Sequence, residues 1–296
     1  MLRSTDMGAS VNSLITRRSA VIGVAASTVS PAQSAHAAEY PPFANLEERS
    51  GGRLGVYVFE VGTGRSISWR AGERFLMCST FKLLAVAATL ARIDAGRESS
   101  NRALAYSKAD LVEPYPVTGA NVSRGSMSIE ALCEAAVVVS DSTAANLLLR
   151  NIGGPRGLTD FCRSLGDRDT RQDRYELAAN RPDGPLDTTT PSAMAFTTAR
   201  LLFGGALRQR SRDQLEAWMT RTTPGLNRIR AGVPEGWRAG DRPGTSPRQT
   251  NDVAILRPPH RPALVVAAYY DAPGLPPAAR EQVLRSVGGA VASWLG

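Results

Sequence analysis

Strand-like patterns lie only near the two ends of this chain, and the segments between them read as helix or loop. Residues 53–61 alternate and are β-branched, a Gly62-Thr63-Gly64 turn follows, and residues 66–70 continue the pattern, so a hairpin is expected. After Pro224 the strand signal returns. Residues 239–246 form one candidate, and 252–256 with 263–270 flank a proline-rich turn as a second hairpin. Residues 277–295 close the chain as an amphipathic helix. In the middle, residues 81–90 are apolar nearly all round, the mark of a helix buried on every side. Further helices fit 129–139, 142–151, 158–165, 191–203 and 211–219. Residues 167–190 are too long and polar for an ordinary connector, which leaves a functional loop or a disordered one. The expected fold class is therefore α/β (α+β). A five-stranded antiparallel sheet from both chain ends carries flanking helices, and an all-helical lobe is inserted. The lobes are bounded at 38–76 with 222–296 (α/β) and at 77–221 (helical).

The N-terminus stands apart. Thr16-Arg17-Arg18-Ser19 precedes an apolar run over residues 20–29, and Ala35-His36-Ala37 offers a small-residue cleavage site. That order predicts a signal peptide over residues 1–37, of the twin-arginine type, and hence export to the periplasm or beyond. No later stretch reaches 18 apolar residues, so no membrane span is expected in the mature chain.

Charge and residue usage narrow the chemistry. The formal charge of +8 invites a nucleic-acid reading, but the arginines are scattered with no aromatic-interleaved basic stripe, so no nucleic-acid partner is expected. Of 35 Lys and Arg residues only Lys82 and Lys108 are lysines. Arginine keeps its proton in a protein, whereas a buried lysine can release one. Three dispersed cysteines, Cys78, Cys133 and Cys162, and one histidine after the signal segment, His260, argue against a zinc site and against Ser-His or Cys-His catalysis. No metal or cofactor is expected. A catalytic base would have to be Lys, Asp, Glu or Tyr.

Four segments could carry chemistry. In Ser79-Thr80-Phe81-Lys82 the serine and lysine share one helix face, and Ser79 stands where free N–H groups favour a developing anion. A neutral amine there can take the serine proton; equally, Ser79 can be a helix cap and Lys82 a snorkelling side chain. In Ser140-Asp141-Ser142 the aspartate suits an N-cap, while Ser140 could pass a proton. In Arg174-Tyr175-Glu176-Leu177-Ala178-Ala179-Asn180 one helical turn would point Glu176 and Asn180 the same way, able to hold and activate a water or simply to face solvent. Arg174 and Asp187 could tie the loop shut. In Asp241-Arg242-Pro243-Gly244-Thr245, Arg242 offers a cation for a carboxylate and Gly244 permits close approach, while Pro243 fits an edge strand.

Together, in this order, these segments resemble the class A serine β-lactamases over nearly the whole mature length. The matching residues are Met77-Cys78-Ser79-Thr80-Phe81-Lys82, Ser140-Asp141-Ser142-Thr143-Ala144-Ala145-Asn146, Asp173-Arg174-Tyr175-Glu176 with Asn180, and Leu186-Asp187-Thr188-Thr189-Thr190-Pro191. The resemblance implies a β-lactamase/transpeptidase-like fold, a small-molecule β-lactam substrate and a monomer. It implies Ser79 as nucleophile and Lys82 with Glu176 as its proton acceptors. Ser140 would relay a proton to the ring nitrogen, and Glu176 with Asn180 would hold the deacylating water. The Ser79 and Thr245 N–H groups would form the oxyanion hole. Ser142, Arg242, Gly244, Thr245 and Arg228 would bind substrate.

Three departures from the family pattern stand out. Ser142 replaces an asparagine that touches the substrate amide, Arg242-Pro243-Gly244 replaces Lys-Thr-Gly, and the stretch from Glu176 to Asp187 is shorter than usual. Cys78 matches a cysteine that is disulfide-bonded in carbapenem-hydrolysing members, but Ser246 or a neighbour stands where its partner would be. The alternatives are a penicillin-binding D,D-peptidase, which shares Ser79 and Lys82 but lacks the Glu176 machinery, and a β-lactam binder that turns nothing over.

Overall fold

The computed structural model describes residues 38–296; the expected signal segment, 1–37, lies outside the described residues. The main sheet holds β1 (Ala38–Glu39), β2 (Arg53–Glu60), β3 (Ser66–Trp69), β4 (Arg238–Thr245), β5 (Gln249–Arg257) and β6 (Leu264–Asp271), in spatial order β1-β3-β2-β6-β5-β4. The first and last thirds of the chain meet where β6 pairs with β2, Leu264 opposite Glu60 and Asp271 opposite Arg53. The five expected strands are antiparallel neighbours. The count is corrected to six: Ala38–Glu39 pairs parallel with β3, and two residues are too few to show a period of two in the sequence.

Both faces of the sheet are covered, which its period-two alternation permits. On one face Leu54, Val56, Val58, Leu264, Val266 and Tyr270 pack against α1 (Pro41–Ser50) and the C-terminal helix Pro277–Leu295, through Phe43, Leu46, Val283, Leu284, Val287 and Val291. The opposite set, Tyr57, Val253, Ile255, Val265, Ala267 and Tyr269, belongs to the core of the helices that follow. The centre of that core is α2 (Phe81–Asp94), whose residues Phe81 through Leu90 are all buried. Around it lie α3 (Ile129–Val138), α4 (Ser142–Asn151), α5 (Gly154–Ser164), α6 (Pro191–Leu202) and α7 (Gln209–Thr220). Each large apolar side chain removed from water here contributes about 1.5–3 kcal/mol, which is what fixes the polar residues of α2 in place. Among the described residues no helix is long and apolar enough to cross a membrane.

Residues 167–190 form an ordered loop. Thr188–Thr189 pairs with Phe75–Leu76, and a 3₁₀ turn spans Ala178–Asn180. The Asp187 carboxylate accepts from the backbone N–H groups of Asp173 and Arg174 at 2.8 and 2.9 Å and meets Arg174 Nε at 2.6 Å. The Asp187 N–H donates to Asp173 Oδ2 at 2.9 Å in return. The tie read from the sequence therefore exists, with a second carboxylate added to it.

Candidate active site

Ser79 lies in the 3₁₀ turn Cys78–Thr80 that runs straight into α2, and Lys82 is one turn further on. Lys82 is buried among the side chains of three other segments. Its Nζ donates to Ser140 O at 2.8 Å, Ser140 Oγ at 3.2 Å and Ser142 Oγ at 3.1 Å. It also lies 3.2 Å from Glu176 Oε1. Ser79 Oγ donates to that same Oε1 at 3.3 Å. The other Glu176 oxygen accepts from Asn180 Nδ2 at 2.5 Å. A hydroxyl, an amine, a carboxylate and an amide thus share one network. Burial pulls the Lys82 ammonium below its ordinary range, the Glu176 carboxylate opposes this, and nearby Arg242 adds to it.

The backbone is shaped to bring these groups together. Five non-glycine residues among those described have left-handed φ, and three of them are Cys78, Ser140 and Asp187, at +48°, +60° and +55°. Such conformations cost about 1–3 kcal/mol each and persist only where the surroundings impose them. Asp141 supplies part of that imposition. Its carboxylate caps α4 through Ala144 N at 2.9 Å and accepts from Thr118 N at 2.9 Å and Thr118 Oγ1 at 2.8 Å. Asn146 on α4 grips the Glu176 backbone from both sides, accepting from its N–H at 3.0 Å and donating to its carbonyl at 3.1 Å.

The far wall is strand β4. A Cβ on Gly244 would sit 2.7 Å from Met77 O, so glycine is needed for the strand to approach the Ser79 turn. Asn251, opposite Gly244 on β5, donates to Leu76 O at 2.8 Å and Met77 O at 3.1 Å and locks that turn to the sheet. Arg242 is fully buried and its three nitrogens are engaged with the protein, Nε with Ser79 O, Nη1 with Val137 O and Nη2 with Ser140 Oγ, at 3.2, 2.8 and 2.5 Å. Arg228, just ahead of the short helix Ile229–Gly232, reaches Gly244 O at 3.1 Å and Thr245 Oγ1 at 2.7 Å and pairs with Glu281.

All ten singled-out residues therefore make a direct hydrogen bond to another of the ten; Arg228, Gly244 and Thr245 form one group, and Gly244 brings it against the Ser79 turn. Ser142, singled out as a substrate contact, stands beside Lys82. It is 1 % exposed and its hydroxyl accepts from Lys82 Nζ, which leaves its own O–H to donate. Cys78 is free and buried, with its thiol beside Ser246 and its pKa pushed up to about 12 by burial.

Sequence reasoning passed over a pair of acids behind β4. Asp241 pairs with Arg230 at 2.5 Å, while Asp252 has no ion-pair partner among the described residues and lies beside the Ile229 amide. Burial lifts Asp241 to about 6 and Asp252 well above the usual carboxylate range. The signal available was two aspartates within strands whose inner residues are buried. A folded pKa raised above the unfolded one means stability present at low pH and lost as pH rises through the folded value. Folding stability measured by denaturant titration is therefore expected to fall as pH rises above the usual carboxylate range, and more steeply in the parent than in Asp252→Asn. Parallel curves would remove this account of the pair.

The sequence model of the beta-lactamase enzyme family matches residues 42–295. The β-lactamase AST-1 of Nocardia asteroides is 46% identical over 231 residues, 77% of this chain and 74% of that protein. The carbapenem-hydrolyzing β-lactamase KPC of Klebsiella oxytoca is 42% identical over 78% of this chain and 80% of its own length. Among solved structures, a β-lactamase from Burkholderia vietnamiensis superposes with a TM-score of 0.85 at 57% identity, covering 86% of this chain and 95% of that one. An ancestral class A β-lactamase gives 0.83 at 49% identity, over 86% of this chain and 98% of its own.

Proposed function

The chain belongs to the class A serine β-lactamases, enzymes that hydrolyse the β-lactam ring, and from that premise we propose how its own residues carry the reaction. Ser79 Oγ attacks the ring carbonyl. Glu176 accepts the hydroxyl proton, and Lys82 shares that work through the oxygen both side chains touch. The carbonyl oxygen, now an anion, is held by the N–H groups of Ser79 and Thr245, which Gly244 allows to approach one another. The ring C–N bond breaks, and Ser140, bonded to both Lys82 and Arg242, hands a proton to the nitrogen. With the first proton passed on from Glu176 through Lys82 and Ser140 to the ring nitrogen, a water held by Glu176 and Asn180 attacks the acyl-enzyme and gives its proton to Glu176; the ester C–O bond breaks and that proton returns to Ser79 Oγ. Arg242, Thr245 and Arg228 supply the cationic wall for the substrate carboxylate, with Arg228 acting through the Thr245 hydroxyl. Ser142 orients Lys82 and leaves open the space that an asparagine would fill.

The observation that carries this reading is the single carboxylate oxygen of Glu176 within reach of both Ser79 Oγ and Lys82 Nζ. It supports hydrolysis over a D,D-peptidase or a non-hydrolytic binder, since those readings give Glu176 nothing to do. Purified protein comprising residues 38–296 is expected to open a chromogenic cephalosporin with many turnovers per molecule. A well-folded preparation that stops after one equivalent would overturn the proposal. With Cys78 free and Ser246 beside it, the disulfide-bearing carbapenemase subgroup is not the expected specificity.

The proposal extends to a monomer exported through the twin-arginine route, on the strength of Arg17-Arg18, the apolar run and Ala35-His36-Ala37. Replacing both arginines with lysine is expected to leave activity in the cytoplasmic fraction. Undiminished periplasmic activity would remove the twin-arginine assignment.

A further inference from the structure

A second charged cleft lies on the outer side of the loop that carries Glu176. It has a volume of about 530 Å³ and is lined by Arg74, Arg156, Thr159, Arg163, Arg168, Arg171, Gln172 and Asp173. Five guanidinium groups thus face one space with a single carboxylate among them. Arg156, Thr159 and Arg163 come from one face of α5, spaced three and four apart. Arg168, Arg171 and Gln172 come from the start of the loop, and Arg74 from the segment before the Phe75–Leu76 strand.

The carboxylates in and near the cleft do not neutralise it. Asp173 is taken by Arg171 at 2.6 Å and by the Asp187 backbone. Asp169 and Asp160 meet Arg74 and Arg156 only loosely, at 3.5 and 3.7 Å, and all four of those side chains are well exposed. Arg163 donates to two backbone carbonyls, Asp167 O at 2.6 Å and Thr170 O at 2.7 Å, and has no carboxylate partner among the described residues. Arg168 has neither a hydrogen bond nor an ion pair among the described residues and is exposed. Three carboxylates, Asp160, Asp169 and Asp173, thus answer five guanidinium groups, which leaves the cleft a positive face toward an anion. The planar guanidinium fork matches phosphate oxygens two at a time, and the volume suits a small molecule.

We infer that this cleft is a binding site for a compact ligand carrying two or more adjacent phosphate groups, held between α5 and the start of the loop. Thr159 already bridges those two elements, donating to Gln172 O and accepting from Gln172 N. A bound anion would add ionic bridges along the same seam. The site is separate from the β-lactam chemistry, and none of its arginines touches Ser79, Lys82 or Glu176.

The test is calorimetric titration of the mature protein with pyrophosphate, at constant ionic strength near the physiological ~0.15 M so that simple screening is held fixed. One binding event per chain is expected. Hydrogen-exchange protection should appear in peptides covering residues 154–173. The double variant Arg156→Ala/Arg168→Ala removes two exposed side chains with loose or absent partners, so it should keep its fold and its cephalosporin turnover while losing roughly tenfold or more in pyrophosphate affinity. Absence of binding to the parent would overturn the inference. So would unchanged affinity in the double variant, protection elsewhere in the chain, or binding only of a long polyanion such as heparin, which would mark a diffuse basic surface.

Discussion

Glu176→Gln is expected to convert the enzyme into one that acylates and then stalls. The amide keeps the shape that Asn146 and Asn180 hold but cannot take a proton from water. A positioned general base is worth about 10²–10⁴ in rate, so turnover should drop by at least that factor. The drop falls on deacylation. Acylation slows as well, because the same oxygen receives the Ser79 proton, but Lys82 still stands in the network to help. The expected signature is a covalent adduct on Ser79 that outlasts the assay. Parent-like turnover in this variant would remove Glu176 from both steps.

Lys82→Arg is expected to be nearly as damaging, although it preserves charge. The chain uses arginine for almost every other cation, so a positive charge alone does not explain a buried lysine. Arginine cannot release its proton, and its larger fork does not fit a site where one amine meets Ser140, Ser142 and Glu176 at 2.8–3.2 Å. A fall in kcat/KM of about 10²–10⁴ is expected. Lys82→Ala adds a second cost by leaving Glu176 buried without its partner, about 3–5 kcal/mol of stability, which thermal unfolding would register. If Lys82→Arg kept most of the parent rate, Lys82 would be a counter-ion only.

Much of the fold was legible because its signals are periodic. The alternation of residues 53–61 and the all-round apolarity of residues 81–90 each specify one structural solution, and both solutions are present. The sixth strand and α1 were missed for lack of such a signal: Ala38–Glu39 is two residues long, and α1 buries only Phe43 and Leu46, too few to display a helical period. At the site, the residues that touch one another by side chain lay in recognisable motifs. The supporting roles were not readable, although Asn146 itself closes one of the matched segments. Asn146 holds Glu176 through its backbone, and Asn251 holds the Ser79 turn through carbonyl groups, so neither contact leaves a spacing that a sequence displays. Asp241 and Asp252 are brought together by the pairing of β4 with β5, a register that only the folded sheet sets. Ser142 shows the limit most plainly. Its motif position implied contact with substrate, and the hydrogen bond its hydroxyl accepts from Lys82 could not be read from that position.

The most direct measurement of the central claim is a time course of intact mass after one addition of penicillin, run on the parent and on Glu176→Gln. The account predicts that the parent returns to its free mass while the variant keeps an adduct of one penicillin, located on the peptide containing Ser79. An adduct on any other residue, or a variant that clears its adduct as fast as the parent, would contradict it.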